Sequence, residues 1–202
     1  MMHQWRPSEH GTYKVNFDAA VIKSLNSAGI GVIIRDWGGQ AIGALSMSML
    51  LANSVSEMEA LACRRAIQFT VDLDLHRVIF EGDSAIVINA VSQENAALSS
   101  YGFIVEDILS LVSSFLSFEF VHVPCSGNIV ADALAKKAKE LVGCQVWSAV
   151  MPAENLTLPF WWVLMFINYL FLIYAQTEGL VSEKKKINKK IINKKSFPKY
   201  ET

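Results

Sequence analysis

Four acidic residues stand where the pattern of the chain places reactive side chains. Asp18 lies near the end of an alternating run, and Glu59 lies in the second turn of a helical pattern. Asp83 follows a short apolar run, and Asp132 falls in the first turn or so of the last helical pattern. Strand ends and helix N-termini at the carboxyl side of a sheet are the usual place for a site. Carboxylates gathered in one cleft repel one another and do not all ionise unaided. Divalent cations remove that repulsion, and oxygen-only ligation favours Mg²⁺ or Mn²⁺ over Zn²⁺. Two such ions can activate a water and stabilise the leaving oxygen of an in-line displacement at a phosphodiester. Bland readings exist for three of the acids: an N-cap for Asp83, a helix-dipole partner for Asp132, a solvated helix face for Glu59. Glu57 competes with Glu59 for the same place. Asp18 is the least bland, because Asp is depleted in strand interiors. Spacing by itself leaves both readings open.

The elements that must carry these acids are legible from periodicity. Residues 11–20 alternate, with Tyr13, Val15 and Phe17 on one side and Lys14, Asn16 and Asp18 on the other, the period of a strand. Two further β-rich runs, 28–35 and 40–47, flank Asp36-Trp37-Gly38-Gly39, a hairpin signal, so an antiparallel three-strand meander is expected. Asn53 and Ser54 offer helix caps, and Val55, Met58, Ala62, Ala66, Phe69 and Leu73 recur at helical spacing over about five turns. Residues 76–81 read as a short buried strand. Helices are expected from 82 to 92 and from 101 to 115, a strand over 118–123, and a last amphipathic helix over 128–142. The order predicts an α/β fold: a mixed five-stranded sheet, meander plus parallel strands, with helices on both faces. Among other residues, His76 reads as an ordinary strand-start residue and Cys63 as a small buried hydrophobe. Trp37 reads as exposed or packed on a neighbour, and Phe115, Phe118 and Phe120 as a core cluster.

Charge divides the chain of 202 residues unevenly. Residues 1–158 hold 10 Lys+Arg against 16 Asp+Glu, a net of −6, while residues 159–202 hold 8 Lys against Glu178, Glu183 and Glu201, a net of +5. An acidic body exerts no global pull on a phosphate backbone, so nucleic-acid binding must come from a local site. Cys63, Cys125 and Cys144 are far apart with no CxxC pair, which excludes a disulfide framework or a zinc site and fits a reducing compartment. An intracellular location, nuclear or cytoplasmic, is therefore expected, since the N-terminus has no apolar signal region. The expected organisation is a lead-in over 1–10, a domain over 11–145, a linker over 146–158, a hydrophobic segment over 159–177 and a Lys-rich disordered tail over 178–202. Residues 155–177 carry no charge and are long enough to cross a bilayer, so membrane contact through 159–177 is one reading. Against it, the positive-inside rule would translocate the body although no signal exists to do so. The Lys/Ile/Asn-restricted tail instead suggests run-on translation past the domain end, the reading we prefer.

Several stretches occur together in one order: Lys14-Val15-Asn16-Phe17-Asp18, the run 28–36 ending in Arg35-Asp36, Glu59-Ala60-Leu61-Ala62, Val78-Ile79-Phe80-Glu81-Gly82-Asp83-Ser84, His122-Val123-Pro124, and Asn128-Ile129-Val130-Ala131-Asp132-Ala133-Leu134-Ala135. Over roughly residues 5–145 the chain resembles the plant retroelement-type, reverse-transcriptase-associated branch of the type 1 ribonuclease H family. The lead-in Trp5-Arg6-Pro7 resembles that family's approach to its first strand. The resemblance implies an RNase H-like fold that cleaves the RNA strand of an RNA–DNA hybrid with Mg²⁺ or Mn²⁺ at a two-ion site, and a monomer is expected. It matches Asp18, Glu59, Asp83 and Asp132 to the four metal-binding carboxylates and selects Glu59 over Glu57, because Glu59 heads the Glu-Ala-Leu-Ala run. It matches His122 to the family's mobile-loop histidine, with a role in proton transfer or product release. Spacing alone makes His122 a polar strand-end residue.

Departures from the family pattern favour a second reading. Ala19 follows the first Asp where Gly is common, Cys125 stands where a basic residue is usual, and residues 84–116 hold no Lys or Arg. A chain lacking that basic handle grips a hybrid weakly, and an RNase H-like module that binds nucleic acid or protein without catalysis is the alternative. Recognition of a hybrid would rest on minor-groove shape and 2′-hydroxyl contacts.

Overall fold

The computed structural model describes residues 5–93 and 101–148. Strand β1 (Tyr13–Ile22) buries Val15 and Phe17 completely, as the alternation requires. A one-turn 3-10 segment ending at Asn26, whose φ of 47° suits an asparagine, reverses the chain into β2 (Ser27–Arg35). The next reversal is built by Asp36, whose Oδ1 accepts from the backbone N–H groups of Gly38 and Gln40, and β3 (Ala41–Leu50) follows. These three strands form the expected antiparallel meander.

Helix α1 (Val55–Asp72) begins at Ser54, whose hydroxyl accepts from the Glu57 N–H, while the Glu57 carboxylate accepts from the Asn53 N–H. Reciprocal capping of this kind satisfies donors that the first turn leaves open. Strand β4 (Arg77–Gly82) lies parallel to β1, and α2 (Ala85–Ser92) and α3 (Gly102–Val112) come next. Strand β5 (Ser117–His122) then adds parallel to β4, and α4 (Ile129–Lys137) follows.

Among the described residues the sheet has six strands in the order β5-β4-β1-β2-β3-β6, not the expected five. The additional strand, β6 (Cys144–Ser148), pairs antiparallel with β3, so residues 146–148 belong to the sheet and not to a linker. Only Trp147 of its five residues is buried, and one buried position leaves no period to read. The last helix is likewise shorter than the expected 128–142: α4 stops at Lys137 and a 3-10 turn, Ala138–Glu140, leads out of it.

Helices cover both faces. On one, Val15, Phe17, Ile30, Val32 and Phe80 pack with Cys63, Ala66 and Ile67 of α1 and Ile104 of α3. On the other, α4 crosses β2 so closely that a Cβ on Gly29 would lie 2.0 Å from the Ala135 carbonyl, and one on Gly31 2.1 Å from that of Ala131. Phe80 stacks on Phe120 and meets Phe115 edge-on, but Phe118 is 45% exposed and is not a core residue, because β5 is an edge strand. Trp37 packs against His10 and Tyr13. The hydrophobic segment 159–177 and the tail lie outside the described residues. Among the described residues no helix is long and apolar enough to cross a membrane.

Candidate active site

Three elements deliver one carboxylate each to a common point. Asp18 sits where β1 runs on past the end of its pairing with β4; Asp83 sits immediately after β4; Glu59 projects from the second turn of α1. Ligand oxygens of Asp18, Glu59 and Asp83 lie within 4.8 Å of one another. Asp18 and Glu59 are buried, at 6% and 7% exposure, and Asp83 is half-buried. Glu57, the rival of Glu59, is engaged at the helix cap instead.

Electrostatics make this an unstable place for bare carboxylates. Burial first, then the charges of Asp83 and Asp132, push the Asp18 carboxyl up to about 8, against a partial offset from the Ala19 backbone amide and Lys136. Burial, followed by Asp18 and Asp83, raises Glu59 to about 9. The Glu59 Oε2 atom is buried without a hydrogen-bond partner. A buried oxygen with no donor costs free energy unless something positive meets it. An all-oxygen, carboxylate-rich set with one orphaned oxygen fits a hard divalent cation.

Asp132 stands beside this group and not within it. Its charge acts on both buried acids, yet its own Oδ2 accepts from Lys136 Nζ at 2.6 Å, one turn along α4. The N-terminus of α4 is tied to the site by Asn128, which is buried and donates from Nδ2 to the Phe17 carbonyl at 2.8 Å, one residue before Asp18. Asn128 opens the run Asn128-Ile129-Val130-Ala131-Asp132, but nothing in its residue type announces this bond across 111 positions.

His122 is the last residue of β5, exposed, with Nε2 3.1 Å from the Asp83 carbonyl oxygen. That is a strand end anchored at the rim of the carboxylate group, not a loop position. Beside it, the exposed Cys125 thiol is held up by a hydrogen bond to the Asp83 carboxylate and by its charge. Where the family pattern usually has a basic residue, the site therefore has a neutral donor.

A mixed sheet of this order, with one helix crossing the meander and carboxylates at the β1–β4 fork, is an RNase H-like fold. The chain belongs to the reverse transcriptase-like family, whose model matches residues 16–138. Among solved structures it is similar to RNase H1 from the halophilic archaeon Halobacterium salinarum, with a TM-score of 0.59 and 21% identity over 64% of this chain and 98% of that one. It is similar also to LC11-RNase H1, isolated from compost, in complex with an RNA/DNA hybrid: TM-score 0.56, 20% identity, 63% of this chain and 96% of that one. The prototype foamy virus protease-reverse transcriptase matches with a TM-score of 0.53 and 16% identity over 71% of this chain and 23% of that one. Against the curated proteins nothing matches.

Proposed function

We propose that this chain is a retroelement-derived, metal-dependent endonuclease that hydrolyses the RNA strand of RNA–DNA hybrids. The observation that carries the reading is the convergence of Asp18, Glu59 and Asp83 within 4.8 Å, two of them buried and one with an unpartnered oxygen. Asp18, Glu59 and Asp83 would hold Mg²⁺ or Mn²⁺, with Asp132 at the flank. Cations there supply water activation and neutralisation of charge at the scissile phosphodiester. Asp18 and Glu59, protonated near neutral pH while no cation is present, release their protons on cation uptake. Asn128 fixes the approach of α4, and Lys136 orients the Asp132 carboxylate. His122 offers a ring nitrogen at the rim, where an imidazole can move a proton to or from the reacting strand. LC11-RNase H1 has been seen with an RNA/DNA hybrid; we extend that substrate class to this chain.

A second reading, a binding module without catalysis, is favoured by one observation: residues 84–116 contain no Lys or Arg. One experiment separates the two. The full chain is incubated with a labelled RNA–DNA hybrid at low salt in Mg²⁺ or Mn²⁺, beside Asp18→Asn and Asp83→Asn. Metal-dependent cleavage confined to the RNA strand and lost in both variants supports the nuclease. Cleavage that persists in either variant means that the site is elsewhere. A folded chain that neither cleaves nor takes up metal by calorimetry is the idle module.

A further inference from the structure

A buried polar network crosses three strands two residues short of the carboxylates. Glu81 of β4, 3% exposed, accepts from Lys14 Nζ at Oε1 (2.6 Å) and from Asn16 Nδ2 at Oε2 (2.9 Å). Asn16, 1% exposed, accepts in turn at Oδ1 from Arg35 Nη1 of β2 (3.0 Å). The Trp5 ring lies over Arg35 at 4.5 Å and over Lys14 at 5.7 Å and so covers the outer side. Each of Lys14, Glu81 and Arg35 has a partner in this network, which burial demands. Yet buried ion pairs seldom stabilise more than well-packed apolar residues of the same volume would. Stability is thus a poor reason for this arrangement, and its position supplies a better one.

The parallel pairing of β1 with β4 ends at Asn16↔Glu81. Beyond that pair the strands part, and two residues farther along each come Asp18 and Asp83. Parallel ladders are held by slanted bonds that are slightly weaker per residue than antiparallel ones. The separation of the two carboxylates therefore depends on how firmly the fork is closed at its last pair. We propose that the Asn16–Glu81 side-chain bridge is a positioning clamp that sets the Asp18–Asp83 spacing of the cation site, with Lys14 and Arg35 holding its two members in place. The inference rests on the metal-binding reading of that site.

The test needs variants that fold whether or not the clamp matters. Lys14→Met with Glu81→Leu replaces the ion pair by apolar groups and removes the acceptor for Asn16. Lys14→Met with Glu81→Gln removes the same charges but keeps an amide oxygen for Asn16. Mn²⁺ binding to each full chain is measured by calorimetry without substrate, beside the melting temperature. In the Leu double variant the Mn²⁺ Kd rises by about tenfold or more, the scale on which supporting partners of metal ligands act, while the melting temperature, lowered by the unpaired Asn16 amide, still leaves the chain fully folded at the titration temperature. The Gln double variant stays within about threefold of the parent, since a hydrogen-bonded partner remains. In cleavage assays the Leu double variant needs more Mg²⁺ for half-maximal rate but recovers at saturating metal. Unchanged Mn²⁺ affinity in the Leu double variant overturns the clamp and leaves the nuclease reading standing. Equal losses in both double variants overturn it too, because charge and not the bridge would then matter. A parent chain that takes up no Mn²⁺ overturns the clamp together with the metal reading beneath it.

Discussion

Asp18 and Glu59 are carboxyls that burial keeps protonated past neutral pH. In the unfolded chain such carboxyls ionise near pH 4. Folded and free of cations, they keep their protons to about 8 and about 9, chiefly through burial and then through neighbouring carboxylates. Across that window the folded state binds more protons than the unfolded one, so the stability they contribute is present below about pH 4 and falls as pH rises toward 8–9. The melting temperature in EDTA should therefore decline from pH 5 to pH 9, and Asp18→Asn, which cannot ionise, should flatten the decline; calorimetric scans at three pH values check both. Saturating Mn²⁺ should lift the alkaline melting temperature most, because a cation binds the ionised form. His122 belongs to the same scale. As a rim imidazole it should matter to rate and not to folding: His122→Ala slows cleavage by about 10²–10⁴-fold or less and leaves the melting temperature unchanged. Complete loss of cleavage would give His122 more than proton traffic to do. Of these residues, Asp18 was legible because a strand interior has no ordinary use for Asp. Spacing left Glu57 open as a rival of Glu59, since either acid reads equally as a cap partner or a solvated helix face. The structure parts them by giving Glu57 to the Asn53 cap and Glu59 to the carboxylate group.

Between elements, the closest tolerance is β2 against α4. Gly29 and Gly31 alternate with buried Ile30 and Val32, and each glycine receives a carbonyl of α4 where a side chain would stand. Gly31→Ala would drive its methyl into the Ala131 carbonyl and push α4 off the sheet. Overpacking of this kind costs about 1–3 kcal/mol, sometimes more. Urea unfolding should show that loss, and Mn²⁺ affinity should fall with it, because α4 carries Asp132 and the Asn128 bond to Phe17. A variant as stable as the parent would mean that α4 shifts freely. β2 was visible in the sequence as a β-rich run, but the reason for its glycines was not: it is a contact with a helix about a hundred residues away. The same limit hid β6, which takes its register from β3 and buries only Trp147. It also hid the early end of α4, whose helical pattern continues past the point where the backbone tightens into a 3-10 turn. Composition and local period were enough for the meander, α1 and β4, whose apolar residues face the core; the last strand and the helix end depend on partners that no period records.

At the scale of the whole molecule, charge sets how a hybrid would be held. Residues 1–158 carry a net of −6 and residues 159–202 a net of +5. The described lysines of α4 and the turn after it are also partly spent, with Lys136 on Asp132 and both Lys137 and Lys139 near Glu140. Phosphate contacts weaken with salt in proportion to their number, by a slope of about −0.9 in log K against log [salt] per phosphate neutralised on B-DNA. The full chain carrying Asp83→Asn should therefore bind a labelled hybrid with a steeper salt slope than the same variant ended at residue 158, which loses eight lysines. Anisotropy titrations between about 50 and 200 mM salt measure both slopes. Lysines that meet only phosphates add equally to any duplex, whereas hybrid recognition depends on groove shape and 2′-hydroxyls. The ratio of hybrid to DNA-duplex affinity should accordingly be the same with and without residues 159–202, even as both affinities drop. A ratio that collapses on truncation would place hybrid recognition in the C-terminal residues and remove it from the carboxylate face of the sheet.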